Sequence, residues 1–147
     1  MSTYDKLKLE NQLCFSVYAV SRAITKLYRP LLEELDITYP QYLVMLVLWE
    51  NETLSLKDLG KKLYLDSGTL TPLLKRLESM GLVMRKRSLE DERLLNVSLT
   101  EKGFQLKEKA KSIPDCILKA INLDMENLIK TKAQMDSLLT SIIDNEK

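Results

Sequence analysis

The chain contains no histidine. That absence excludes Ser-His-Asp and Cys-His catalysis and every zinc motif that needs an imidazole. Only two cysteines occur, Cys14 and Cys116, too few and too far apart in sequence for a zinc knuckle. The four glycines, Gly60, Gly68, Gly81 and Gly103, are too scattered to build a phosphate-cradling loop. No apolar run reaches the roughly 18 residues of a membrane span. The polar start, MSTYDKLKLENQ, lacks the pattern of a secretory signal. Ordinary enzyme chemistry is poorly supplied, so a non-enzyme is expected, with no metal and no cofactor. The expected location is cytoplasmic, away from the membrane.

Net charge is also scarce, only +1 over 147 residues. Its distribution is more informative. From Lys57 to Arg93 there are nine basic and six acidic residues, while the remainder carries thirteen and fifteen. A nucleic-acid-binding protein needs a basic face rather than a basic total. With 45% hydrophobic and 29% charged residues, the composition is that of a folded globular chain.

The hydrophobic pattern is mainly helical. Leu13, Val17, Val20, Ile24, Leu27 and Leu31 alternate spacings of four and three, one continuous apolar stripe. Pro30 lies inside that stripe, which predicts a break or kink near Arg29. Pro40 opens a second helix with Tyr42, Met45, Leu46 and Trp49 on its apolar side. Ser55-Leu56-Lys57-Asp58 matches a capping box and starts a third helix. After a turn at Tyr64-Leu65, Asp66 or Ser67 caps a fourth, which buries Leu70, Leu73, Leu74 and Leu77 and ends at Gly81. Pro72 predicts a loosened first turn there. Leu82 to Arg87 and Leu94 to Leu99 read as a hairpin with a charged loop. Thr100 caps a fifth helix, bent at Pro114, and a last helix carries Leu128, Met135, Leu138, Leu139 and Ile142.

The resulting plan is a reader at residues 51–99 flanked by helical segments 1–50 and 100–147. The flanking helices carry more apolar surface than so small a reader needs, which suggests packing against a second chain. Within the reader, two short helices joined by a tight turn can place the second in a major groove. Its outward residues are Ser67, Thr69, Thr71, Lys75 and Arg76. Arg85, Lys86 and Arg87 lead into the hairpin tip and Arg93 leaves it, a suitable shape for a wing in the minor groove. Asp91 can hold Arg93 by a two-pronged ion pair.

Cys14 shares a helical stripe with Tyr18, Ser21, Thr25 and Tyr28. Phenolic donors such as Tyr18, Tyr28 and Tyr39 favour a thiolate and so raise its reactivity. Cys14 and Tyr28 stand about 21 Å apart along a straight helix. Any contact between them therefore requires a helix break or a second subunit. Cys14 and Cys116 are equally readable as small buried packing residues.

These residues carry a resemblance. Asp66 to Glu78, Gly81-Leu82-Val83, Arg85-Lys86-Arg87, Asp91-Glu92-Arg93 and Leu99 to Gly103 resemble the MarR family of bacterial transcriptional regulators. The resemblance implies a mainly α fold with a small β-hairpin wing, a winged helix-turn-helix homodimer bound to a pseudo-palindromic DNA operator. It also implies that Asp91 supports Arg93 in a minor-groove contact. Asn11 to Phe15 and Leu35 to Tyr42 are similar to the organic hydroperoxide resistance branch of that family. That similarity implies oxidation of Cys14 by an organic peroxide, the inducer, with Tyr28 and Tyr39 contacting it across the dimer and oxidation releasing the operator. In two-cysteine members a distal cysteine of the other subunit closes a disulfide, the part Cys116 would play. The alternatives are a repressor of the same fold released by a small aromatic ligand, a thiol peroxidase working through Cys14, and a winged helix that binds only protein.

Overall fold

The computed structural model describes residues 2–146. Two 3-10 turns, Thr3–Leu7 and Leu9–Asn11, precede the first helix. Neither was expected, because turns so short carry no helical period. Helix α1 spans Leu13–Glu33 without interruption, so the predicted break at Arg29 does not occur. Pro30 falls in the final turn, and burial of Leu32 just beyond it holds the chain helical. Much of the α1 stripe is left uncovered in the protomer: Leu13, Val17, Val20 and Leu27 are exposed, while Ile24 and Leu31 are half-buried.

Helix α2, Tyr39–Asn51, is apolar nearly all round and runs through the centre of the first compact unit, Met1–Ile113. Val44, Met45 and Leu48 are fully buried, whereas Leu46, expected on the apolar side, is exposed. Its start is a capping box that sequence reading passed over. The Gln41 amide donates to Thr38 Oγ1, and the Thr38 amide donates to Gln41 Oε1 at 2.9 Å. At Ser55 only half of the expected box forms: the Asp58 amide donates to Ser55 Oγ at 3.1 Å, with no return bond among the described residues.

A short strand β1, Thr53–Ser55, leads into α3, Leu56–Leu63, and α4, Ser67–Ser79. Strands β2, Val83–Arg87, and β3, Leu95–Leu99, form the predicted hairpin in register Val83↔Leu99 to Arg87↔Leu95. β1 pairs antiparallel with the other edge of β3, giving sheet order β1-β3-β2. Leu59, Leu70, Leu74, Leu77 and Val97 meet under this layer with no exposed surface. The first turn of α4 is intact despite Pro72, since the Leu70 amide reaches the Asp66 carbonyl at 3.0 Å. Three fully buried leucines offset the hydrogen bond that the proline removes.

Helix α5, Glu101–Ala110, ends before Pro114. The expected bend is thus a break: α6, Ile113–Ile121, begins one residue before the proline, where a missing N–H costs little. The second unit, Pro114–Lys147, contains most of α6 and all of α7, Met125–Asn145, capped by Asp124. In α7, Met135, Leu139 and Ile142 are exposed and Leu128 and Leu138 half-buried. No helix among the described residues is long and apolar enough to cross a membrane.

Thr100 ties α5 to the reader. Its Oγ1 accepts from the Gly103 amide at 3.0 Å and donates to the Gly81 carbonyl at 2.5 Å. It thus serves both the N-terminus of α5 and the left-handed Gly81, φ 77°, beyond the end of α4. Thr100→Ala is expected to cost about 1–2 kcal/mol, read as a lower urea midpoint at unchanged slope.

Candidate DNA-binding face and cysteine sites

The turn between α3 and α4 is fixed by local geometry. Tyr64 adopts the left-handed region, φ 58°, and the Leu65 amide returns to the Gly60 carbonyl at 3.0 Å. A Cβ on Gly60 would lie 2.6 Å from the Leu65 carbonyl oxygen, so glycine permits this close approach. Asp66 then caps α4, with its Oδ1 accepting from the Thr69 amide at 2.7 Å. That bond holds the Asp66 carboxyl below the usual carboxylate range.

Along α4, Ser67, Thr69, Lys75 and Arg76 are exposed and Thr71 is half-buried. Arg76 Nη2 lies 3.8 Å from Asp36 Oδ2, a long, exposed contact that contributes little. Lys86 and Arg87 are exposed on the wing. Arg93 donates through Nε to Asp91 Oδ1 at 3.1 Å and through Nη2 to Oδ2 at 3.3 Å. Its backbone amide adds a third bond to Oδ1. The Arg93 side chain nevertheless remains 90% exposed, against 34% for Asp91. Asp91 therefore fixes the direction of Arg93 without hiding it, and the Arg93 hydrogen bonds hold the Asp91 carboxyl below its ordinary range. Lys57, Lys61, Ser67, Arg87 and Arg93 share the lining of an open cleft of about 900 Å³ between α3, the start of α4 and the wing. Arg85 is set apart from this group, because its guanidinium is engaged with Glu78 of α4.

Cys14 is exposed on the first turn of α1 and Cys116 is exposed on α6; both are free thiols. Exposure removes the reading of either as packing of the protomer's own core. Tyr18 is exposed, with the Arg22 guanidinium 5.5 Å from its ring centre. Tyr28 lies at the other end of α1 and meets Tyr39 and Tyr42, with ring centres 4.7 and 5.6 Å away. Burial, reinforced by the two neighbouring phenols, pushes Tyr28 up to about 12. Its hydroxyl keeps the proton at neutral pH and stays a donor.

The unbroken α1 keeps Cys14 and Tyr28 about 21 Å apart in one protomer. The structure thus joins Tyr28 to Tyr39 and leaves Cys14 and Tyr18 elsewhere on the helix. Tyr42, a third member of the aromatic cluster, was read only as a core-side residue. Its three-residue spacing from Tyr39 on one helix face was the available signal. No group of three or more potential metal ligands occurs among the described residues.

The family model for the transcriptional regulators SarA/Rot matches residues 5–110. The chain is 57% identical to the organic hydroperoxide resistance transcriptional regulator of Bacillus subtilis (strain 168), over 95% of each chain. Among solved structures it is similar to reduced AbfR bound to DNA, with TM-score 0.83, 38% identity and coverage of 99% of this chain and 100% of that one. It is also similar to AbfR in its disulfide form, with TM-score 0.66, 39% identity and coverage of 92% and 95%. The chain belongs to the SarA/Rot family of transcriptional regulators, within the MarR-type winged-helix proteins that include the organic hydroperoxide resistance regulators.

Proposed function

We propose that this chain is a DNA-binding transcriptional repressor that works as a homodimer and releases a pseudo-palindromic operator when an organic peroxide oxidises Cys14. The observation that carries the DNA reading is the pairing of α4, with exposed Ser67, Thr69, Lys75 and Arg76, with a wing whose Arg93 is held outward by Asp91. Thr71, Lys86 and Arg87 extend the same face. Residues 51–99 are the reader. Segments 1–50 and 100–147 are the dimerisation region, supported by the uncovered apolar stripes of α1 and α7. The redox half is supported by the exposed Cys14 thiol and by the 57% identity to a hydroperoxide-resistance regulator.

The chemistry is a two-electron oxidation. The Cys14 thiolate attacks the peroxide, an S–O bond forms, the O–O bond breaks, and the alkoxide leaves and takes a proton as alcohol. The sulfenic acid then condenses with the Cys116 thiol of the other subunit, forming S–S and releasing water. Tyr28 and Tyr39 of the partner supply phenolic donors to the Cys14 thiolate, and Tyr18 lies one helical turn from Cys14 on its own helix. A disulfide requires Cα atoms within about 7 Å, so its closure repositions the readers wherever the starting gap is larger. The protein turns over no substrate and acts in the cytoplasm.

The test is a gel shift on the DNA upstream of the protein's own gene, with and without an organic hydroperoxide. Retarded DNA that is freed by the peroxide and recovered with thiol is expected. Failure to retard any duplex removes the DNA reading. Retardation relieved by phenolic acids but not by peroxide would favour the aromatic-ligand repressor. In the same assay Arg93→Ala is expected to lose about 1–3 kcal/mol of affinity with an unchanged circular dichroism spectrum. Unchanged affinity would leave the wing idle.

A further inference from the structure

We propose that Arg85 and Glu78 form a brace that locks the wing to the recognition helix, making Arg85 a positioning residue for DNA reading rather than a DNA contact. The proposal rests on the DNA-reading function argued above.

Three bonds join the pair. The Arg85 amide donates to Glu78 Oε2 at 3.1 Å, Nε to the same oxygen at 3.4 Å, and Nη2 to Oε1 at 3.2 Å. The carboxylate therefore grips both the strand backbone and the side chain, which fixes β2 against the end of α4 at one register. Strand alternation explains the direction. Residues two apart share a face, so Arg85 follows the buried Val83, while Met84 and Lys86 point to solvent. The Arg85 side chain is only 20% exposed, against 90% for Arg93.

The position of Glu78 strengthens the argument. It is the penultimate residue of α4, at the negative end of the helix dipole, where a carboxylate is disfavoured. It also sits on a unit proposed to approach a polyanion, whose phosphates repel a carboxylate. Both fields oppose an acid there, and Arg85 is the group that compensates it. Its hydrogen bonds hold the Glu78 carboxyl below the ordinary range. Without the brace, the shared core and the Thr100 bond still keep the hairpin beside α4, but the wing is less tightly fixed and the two contacts meet adjacent grooves at a less uniform spacing.

The two effects of losing Glu78 have opposite signs, which makes the test decisive. Electrostatics alone predicts that Glu78→Gln binds DNA more tightly, since a negative charge near phosphates is removed. The brace predicts weaker binding, by about tenfold for a coupled pair of this kind. Operator affinity is measured across a salt series for the parent, Glu78→Gln, Arg85→Gln, Arg85→Lys and the double glutamine variant, each checked by thermal melting. Weakened binding is expected in every single variant. Arg85→Lys is included because an ammonium lacks the two-pronged fit. The double variant should be no worse than either single one, and Arg85→Gln should keep the parent's salt slope. Equal or tighter binding by Glu78→Gln overturns the brace. So does a slope reduced by about one in Arg85→Gln, the mark of a lost phosphate contact. A parent with no salt-dependent affinity overturns the DNA reading itself, and the brace with it.

Discussion

Cys14→Ser is expected to keep full operator affinity and to lose all release by organic hydroperoxide. The thiol is exposed on the first turn of α1, so exchanging sulfur for oxygen opens no cavity in the protomer. A serine hydroxyl forms no sulfenic acid, so the redox step is removed while the reader, α3 to β3, is untouched. The contrast is all-or-none: the parent is freed from DNA by peroxide and the variant stays bound at the same dose. Retained release in the variant would take Cys14 out of the switch. Non-reducing electrophoresis separates the role of Cys116. The oxidised parent should migrate as a dimer that thiol treatment collapses, and Cys116→Ser should migrate as a monomer throughout. A monomer from the oxidised parent would leave Cys116 without a resolving role.

The largest loss of stability is expected from Gly103→Ala. A Cβ at this position would fall 2.1 Å from the Leu82 carbonyl oxygen and 3.1 Å from Leu99 Cδ2. The backbone carbonyl is not free to withdraw. The Leu82 carbonyl already accepts the Thr100 amide at 3.1 Å, and the Gly103 carbonyl accepts the Trp49 indole at 2.9 Å. Relief requires α5 to move as a body away from the sheet, which breaks both bonds. Overpacking a tight site costs about 1–3 kcal/mol, occasionally more, and the backbone clash places this variant at or above that upper end. Against a typical total of about 5–15 kcal/mol, chemical denaturation followed by circular dichroism should show a much lower midpoint. A shift under about 0.5 kcal/mol, the size of an ordinary surface change, would mean that α5 is not docked as described.

The legible parts of the fold were those with a repeating period or a cap. The α1 stripe, the α4 leucines and the alternation in β3 announced themselves, because helix and strand periods leave marks several residues long. Gly81 and Thr100 marked boundaries through the chemistry of single residues. What escaped had no such mark. β1 has three residues, shorter than one cycle of evidence for alternation, and it exists because β3 offers an unpaired edge. Pro30, read as a break, and Pro72, read as a loosened turn, misled for a shared reason: each was weighed by its local cost, whereas Leu32 and the buried face of α4 supply a non-local compensation. In the candidate site, residue types and spacings pointed to the pairing of Asp91 with Arg93, and to a helix break or a second subunit as the condition for any contact between Cys14 and Tyr28. Sequence grouped Arg85 with Lys86 and Arg87 as one basic run. Only the pairing of strand and helix separates a cation held by Glu78 from the two, Lys86 and Arg87, that stay exposed.

Trp49 is the sole tryptophan, and its ring stands edge-on to Tyr42, 6.3 Å between centres, in a chain of aromatics that continues to Tyr28. The molecule therefore carries one indole emitter, fed with excitation energy by the phenols proposed to serve the thiol. Emission that stays blue while the tyrosine-excited yield changes would report a rearranged cluster in an intact core. A red shift would report that core admitting water. Switching and melting can thus be told apart in an unlabelled sample.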